Sequence, residues 1–187
     1  MSEAMEQAHE TIHEAHHSAS DPWARGVAVM VSVLAAALAL AEMGEKSSQN
    51  AYLTHHIAVS DDWAFYQAKN LRAVIRDSET ELLQSLPVGP EIADRIKQSR
   101  EYAARMRDEP QGDGMKQLAE RAKAQEAARD RAFHFYHNYE YTVGALEIAI
   151  VLSSVSVVTR MRFLTVGAGV VGALACAFGL AVAAEWF

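Results

Sequence analysis

The sequence predicts an all-α protein with three transmembrane helices and a long extramembrane antiparallel helical hairpin, coiled-coil-like, between spans 1 and 2. Two observations predict this fold. The first is a set of three apolar runs, at 24–41, 142–159 and 163–184. Each approaches the ~20 residues that a helix needs to cross a bilayer. The second is the charged region 42–141, which shows helical periodicity and few breaks. Half of the 187 residues are hydrophobic, but they are gathered in blocks, as in a membrane protein.

Residues 1–22 form an acidic, His-rich tail that contains neither lysine nor arginine. The first transmembrane helix, 23–41, follows it directly. Asp21 can accept hydrogen bonds from the free amides at the helix start, and Pro22 suits the first helical position. The run has no basic segment before it, so we expect a retained anchor and not a cleaved signal peptide. Gly44 alone does not stop the helix, although it weakens helix formation by roughly 1 kcal/mol.

The region 42–141 is expected to hold three helical pieces. The first continues to Leu86, where Pro87-Val88-Gly89-Pro90 ends it, because proline interrupts a helix and constrains the residue before it. The second covers about 91–107, and the third begins near Met115 and continues into the second span. The ascending and returning arms have nearly equal lengths, which predicts an antiparallel hairpin. A break at Ser60, acting as an N-cap, would give a shorter folded bundle instead.

A stripe of small and aliphatic residues recurs at spacings of three or four along the first extramembrane helix. This spacing places its members on one face, which we expect to contact a partner helix. The members are Ala64, Ala68, Leu71, Ile75, Ser78, Leu82 and Leu86.

The second and third transmembrane helices, 142–159 and 163–184, are separated by the turn 160–162. This turn contains Arg160 and Arg162, and Arg25 begins the first span. Basic residues in short loops favour the cytoplasmic side, whereas a loop of about a hundred residues can cross regardless of charge. The predicted topology therefore has a cytoplasmic N-terminus and turn, with 42–141 and the C-terminus outside.

The tail contains two overlapping matches to the zinc-protease pattern His-Glu-x-x-His. The candidate metal ligands are His9, His13, His16 and His17. On a helix, paired histidines four residues apart share one face with a neighbouring glutamate. A catalytic zinc also needs a third protein ligand and a substrate cleft, which the tail does not supply by itself. Metal binding by the tail and a plain solvated tail both remain open.

The run Gly167-Ala168-Gly169-Val170-Val171-Gly172 matches the dinucleotide-binding fingerprint in letters only. That motif works between a strand and a helix, whereas this run lies inside an apolar span. Small residues one turn apart instead predict close helix packing, with Gly172, Cys176 and Gly179 as candidate interaction residues. We therefore expect no nucleotide. Glu147 lies within the second span, where a carboxylate either faces water or protein, or lies near the interface.

The most distinctive stretch outside the spans is 60–69, which reads S-D-D-W-A-F-Y-Q-A-K. It resembles the S-D-x-W-A-[YF]-[YF]-Q-A-K motif of a domain-of-unknown-function family of bacterial inner-membrane proteins. The resemblance extends over most of 23–184 and implies three spans, a helical insert and location in the bacterial inner membrane. Successive helical residues differ by about 100°, so Trp63 and Tyr66 share a side that Phe65 does not. These three aromatic residues are candidate interaction residues for a second copy or a partner.

The sequence favours a non-catalytic membrane scaffold or accessory subunit that self-associates or binds a membrane partner. No nucleophile–base pair or phosphate loop stands out, so we predict no enzyme activity and no cofactor. The net charge of −7, without a basic patch, argues against nucleic acid as a partner. The expected partners are the lipid bilayer and another copy or a membrane-complex subunit. Two alternatives stay open: a metal-responsive protein that uses the tail, and an ion-conducting oligomer with Glu147 on its path.

Overall fold

The computed structural model describes residues 22–87, 89–110 and 112–186, together with Glu6 and Glu10, and its main elements are helices. In chain order these are α1 (Pro22–Gln84), α2 (Pro90–Arg107), α3 (Met115–Thr159) and α4 (Arg162–Trp186). The beginning of α1, the end of α3 and α4 are long and apolar enough to cross a membrane. The all-helical class and the three candidate spans are therefore confirmed, whereas the four histidines of the tail lie outside the described residues.

The helix ends follow the local sequence. Helix α1 ends at Gln84, two residues before the predicted end at Leu86, and Ser85 and Leu86 form a turn. Pro90 then takes the first position of α2. Gly89 precedes it in an extended conformation. A proline suits this position because its missing N–H would have no partner in the first turn. The alternative break at Ser60 is wrong, since α1 continues through it without interruption.

The turn between α3 and α4 is tight. Arg160 has a φ of 56°, in the left-handed region, and α4 begins two residues later. A left-handed residue after the last helical position is a common way to end a helix, although glycine usually fills it. Near this turn the Thr165 hydroxyl donates to the Ser156 hydroxyl over 2.9 Å. Ser153, fully buried, donates to the carbonyl of Ala149, so its polar atom is satisfied within the helix.

The chain forms two compact units. Unit 1 comprises Met1–Asn50 and Ala132–Phe187, and unit 2 comprises Ala51–Arg131. The core of unit 1 joins α1, α3 and α4, and its members are Val27, Val31, Leu34, Leu38, Ala41, Leu146, Ala149, Ile150 and Ala175. Large apolar side chains also cover the outside of these three helices; examples are Val33, Val158 and Leu174, each more than half exposed. Helices that are apolar on all sides match a lipid environment, where outward side chains need not be polar.

Unit 2 is built around one face of α1. Val59, Asp62, Ala73 and Thr80 are buried on that face. The parts of the other two helices that lie in unit 2 bury Ser99 and Ala103 of α2 and Leu118 and Ala122 of α3. In α2, the apolar side chains of Ile92, Ile96, Ala103 and Met106 are all buried or partly buried.

The stripe that was predicted to contact a partner helix does not contact α2 or α3 of the same chain. Leu71 is 61% exposed, Ile75 56% and Leu82 70%. The face that packs against α2 and α3 instead carries Asp62 and Arg76, whose ion pairs satisfy their charges there. A count of apolar residues selects the more aliphatic side of the helix, whereas polar residues with partners can occupy a buried side.

Candidate functional site

Asp62 and Trp63, within the distinctive 60–69 stretch, hold α1 and α3 together in unit 2. The guanidinium of Arg121 donates two hydrogen bonds to Asp62 Oδ1, at 2.8 and 2.6 Å. The side chain of Asp62 is only 9% exposed, so this pair neutralises a buried carboxylate. The hydrogen bond to Asp62 is also the main cause that raises the pKa of Arg121. The indole Nε1 of Trp63 donates to Glu126 over 3.0 Å.

A third polar contact between α1 and α3 lies nearer to the start of unit 2. His55 Nδ1 lies 2.6 Å from Oε1 of Gln125, a hydrogen bond in which the imidazole donates. We call His55, Asp62 and Trp63, with Gln125, Arg121 and Glu126, the polar seam. Sequence reasoning missed the seam, because Asp62 occupies the variable position of the motif. The available signal in the sequence was an acidic residue directly before the tryptophan of the motif.

The aromatic residues of the motif are arranged as the helical spacing predicts. The rings of Trp63 and Tyr66 contact each other edge to face, with centroids 5.4 Å apart. Phe65 points elsewhere and is 60% exposed. Trp63 therefore has a structural partner within the chain through Glu126, whereas the exposed ring of Phe65 is available to another molecule. The role of all three in interaction with a second copy or partner stays a prediction.

A second polar cluster joins α1 to α2 around Glu79. The Ser99 hydroxyl donates to Glu79 Oε2 over 2.6 Å, and Arg76 donates to the same oxygen over 2.7 Å. The hydrogen bond from Ser99, followed by that from Arg76, lowers the pKa of Glu79. The guanidinium of Arg76 also lies 5.0 Å from the centre of the Tyr102 ring, a cation–π contact. An open cleft of about 340 Å³ lies over these residues.

Ser99→Ala should raise the pKa of Glu79 toward its ordinary value of 4.5, because the strongest donor to the carboxylate is lost. A lowered carboxyl pKa stabilises the folded state above the ordinary value, and this contribution is lost as pH falls through the folded pKa. The variant should therefore lose less stability than the parent protein as pH falls from above 4.5 through the lowered pKa of Glu79. NMR titration of the Glu79 carboxyl tests this directly.

The matched control for that titration is Ser85→Ala, because the Ser85 hydroxyl donates to the Leu82 carbonyl and not to Glu79. The control should leave the pKa of Glu79 as it is in the parent protein. An unchanged Glu79 pKa in Ser99→Ala would contradict the role assigned to the hydroxyl.

Unit 2 leaves one side of α1 uncovered. We define the exposed stripe as Ala64, Ala68, Leu71, Ile75, Ser78, Leu82 and Leu86, the set that the sequence placed on one face. All seven are exposed in the structure, and the exposed side chains of Phe65 and Val74 border them. Its first six members lie in α1, and at about 100° per residue they occupy the side opposite to the face buried against α2 and α3, whereas Leu86 follows in the turn after Gln84. The most aliphatic surface of α1 within unit 2 is therefore not covered by the rest of the chain.

The predicted small-residue packing in α4 is found inside unit 1. A Cβ on Gly172 would lie 2.4 Å from Leu34 Cδ2, and one on Gly179 would lie 2.9 Å from Thr142 Cγ2. The two glycines thus let α4 approach α1 and α3 of the same chain. Cys176 is partly buried and lines an apolar groove of about 340 Å³ in this unit. Gly172 and Gly179 therefore face neighbours within the same chain.

Among residues 22–87, 89–110 and 112–186, with Glu6 and Glu10, no group of three His, Cys, Asp or Glu side chains is placed to hold a metal ion. The proposed ligands His9, His13, His16 and His17 lie outside that part of the chain, and tail metal binding stays a prediction. His137 lies 3.0 Å from Glu140 and stacks on Phe133. Glu147 is partly buried in α3, and its proposed role in ion conduction also stays a prediction.

The fold and site define a class: all-helical proteins with three candidate membrane-spanning segments and a second, helical unit held together by polar contacts. Within this class the chain belongs to the DUF4337 family, a domain of unknown function, whose family model matches residues 23–184. The match begins at the first candidate span and ends at the last, as the resemblance implied. No curated protein and no solved structure matches the chain.

Proposed function

We propose that the protein is a non-catalytic integral membrane scaffold or accessory subunit that displays unit 2 for association with another protein subunit. The observation that carries this proposal is the exposed stripe. A helix that leaves its aliphatic side in water is stabilised when another surface covers that side. The polar seam supports the same function, because it rigidifies the helix that carries the stripe.

The proposed location is the bacterial inner membrane, with unit 1 embedded in lipid. The outward apolar side chains of α1, α3 and α4 support this location, since in water they would form a large exposed hydrophobic surface. Leu40 and Val158, for example, are 71% and 76% exposed within the chain. The bacterial source of the membrane rests on the family resemblance of the 60–69 motif.

The proposed topology has a cytoplasmic N-terminus, a cytoplasmic turn at 160–162, and residues 42–141 on the periplasmic side. Arg160 supports it, because an arginine occupies a left-handed position where glycine would be favoured by roughly 1 kcal/mol. A basic side chain at that site is explained by a need for positive charge in the cytoplasmic loop. Protease added to sealed vesicles tests the topology, and cleavage within 42–141 from the cytoplasmic face alone would overturn it.

For residues 42–141 we propose the antiparallel helical hairpin. The order of contacts in unit 2 supports it. Later residues of α1 pair with earlier residues of the returning helices: Asp62 with Arg121 and His55 with Gln125. The same inverse order holds for α2, where Glu79 meets Ser99 and Asp77 meets Arg107.

The function is tested by native mass spectrometry of the full chain, released from membranes in mild detergent or lipid nanodiscs. The expected result is a stable complex that contains more than one polypeptide chain. A monomer without any associated subunit, at the concentrations of the native membrane, would contradict the proposed function.

A further inference from the structure

The exposed stripe has the repeat of a coiled-coil seam. Ala64, Leu71 and Ser78 are spaced by seven, and so are Ala68, Ile75 and Leu82. In heptad terms the first set occupies d positions and the second occupies a positions. Leucine at d with isoleucine at a, as at Leu71 and Ile75, favours parallel two-stranded coiled coils. The spacing of the stripe thus suits another helix, and in particular an identical one.

The apolar area of the stripe is large enough for an interface. Six large side chains expose between 49% and 70% of their surface on or beside it. They are Phe65, Leu71, Val74, Ile75, Leu82 and Leu86. At roughly 150 Å² for each fully exposed side chain, they present on the order of 500 Å² of apolar surface. That is near the upper limit of the largest apolar patches on monomers, and more than half of the ~800 Å² that each partner contributes to a standard interface.

The charges beside the stripe permit pairing with a second copy in register. In a parallel pair, each g position meets the e position five residues further on in the partner helix. The pairs within α1 are Gln67 with Arg72 and Val74 with Glu79. Neither of them brings like charges together. At these e and g positions the pairing therefore carries no like-charge penalty.

We propose that the exposed stripe is the interface between two copies of this chain, which pair in parallel and in register through α1. The inference rests on the proposed function and names its partner. Two copies inserted in the membrane in the same sense are related by a two-fold axis along the membrane normal, so equivalent residues lie at equal heights. The d-position residue Leu71 then faces Leu71 of the second copy across the axis.

Cysteine cross-linking of the full chain in its native membranes tests this geometry. Cys176→Ser first removes the lone cysteine, and Leu71→Cys then introduces one at the centre of the stripe. Mild oxidation should give a disulfide-linked dimer at least about tenfold faster than in the matched Lys97→Cys control, on exposed α2. Equal rates at the two positions would overturn the parallel, in-register interface.

A pair of charge substitutions supplies an independent test that does not depend on oxidation. Leu71→Glu with Leu82→Glu should lower the dimer fraction at least about tenfold, since four carboxylates would then be buried in one seam. Because both side chains are more than half exposed within the chain, the helical content by circular dichroism should not change. The control Ala93→Glu with Ala104→Glu adds the same charge to exposed α2 positions and should leave the dimer intact.

The outcomes separate this inference from the proposed function. A dimer that persists in the Leu71→Glu, Leu82→Glu variant overturns the inference but leaves the scaffold function standing. Cross-linking of Leu71→Cys to a different polypeptide also overturns the inference and retains the function. If the chain is a monomer without any associated subunit in lipid nanodiscs, both the inference and the proposed function are contradicted.

Discussion

Gly44→Ala should destabilise the protein, although alanine is the better helix former. A Cβ at this position would lie 2.6 Å from Cζ and 2.7 Å from Cε1 of Tyr139, closer than real Cβ atoms approach. Tyr139 is 9% exposed, and its ring packs directly over the glycine. Overpacking typically costs about 1–3 kcal/mol, and the gain in helix propensity offsets up to ~1 kcal/mol of it. We expect a net loss of about 1–2 kcal/mol.

Thermal unfolding in detergent, followed by circular dichroism, measures this effect as a decrease of several degrees in Tm. Gly144→Ala is the control, because no atom lies within 4 Å of a Cβ built there. The control should be neutral or slightly stabilising. Tyr139→Leu should rescue much of the loss in the Gly44→Ala background, because it removes the atoms that clash. Equal stability of the two alanine variants would contradict the close approach.

Arg121→Ala should be the most damaging single change in the polar seam. It leaves the carboxylate of Asp62, 9% exposed, without its cation. Loss of a fully buried partner costs about 3–5 kcal/mol. Arg121 itself is 49% exposed, so water screens the pair, and we expect a smaller loss of about 1–3 kcal/mol. Chemical denaturation of the full chain in detergent measures the difference.

Lys116→Ala is the control for the seam, since Lys116 and Asp108 are 62% and 50% exposed and 3.8 Å apart. An exposed pair of this kind contributes at most about 1 kcal/mol. In an Asp62→Ala background, Arg121→Ala should cost much less than it does alone, because no buried charge is left unpaired. An equal cost in both backgrounds would show that Arg121 acts through packing and not through Asp62.

The helix ends and the spans could be predicted from the sequence because they depend on local chemistry. The prolines at 87 and 90 end and begin helices regardless of what surrounds them. The length and the apolar composition of the three runs directly predict membrane-spanning helices. The small residues at 172 and 179 were also predicted to allow close packing, and the structure places them against Leu34 and Thr142.

The buried face of α1 could not be predicted from the sequence, because burial there depends on partners distant in the chain. Asp62 becomes a buried residue only through Arg121, 59 positions later, and Glu79 finds Ser99 on another helix. Periodicity of apolar residues selected the opposite side of the helix. Likewise, the sequence indicates only that Gly44 weakens helix formation, because its close contact with Tyr139 depends on a residue distant in the chain.

The central claim is that the three apolar segments lie in lipid while unit 2 lies in water. Spin labels on single cysteines at Val33, Val151, Val170 and Arg100, in a Cys176→Ser chain in lipid nanodiscs, test it most directly. The account predicts that the first three are relaxed by dissolved oxygen and protected from a water-soluble nickel complex, with the reverse at Arg100. Equal access of the nickel complex to all four positions would contradict it.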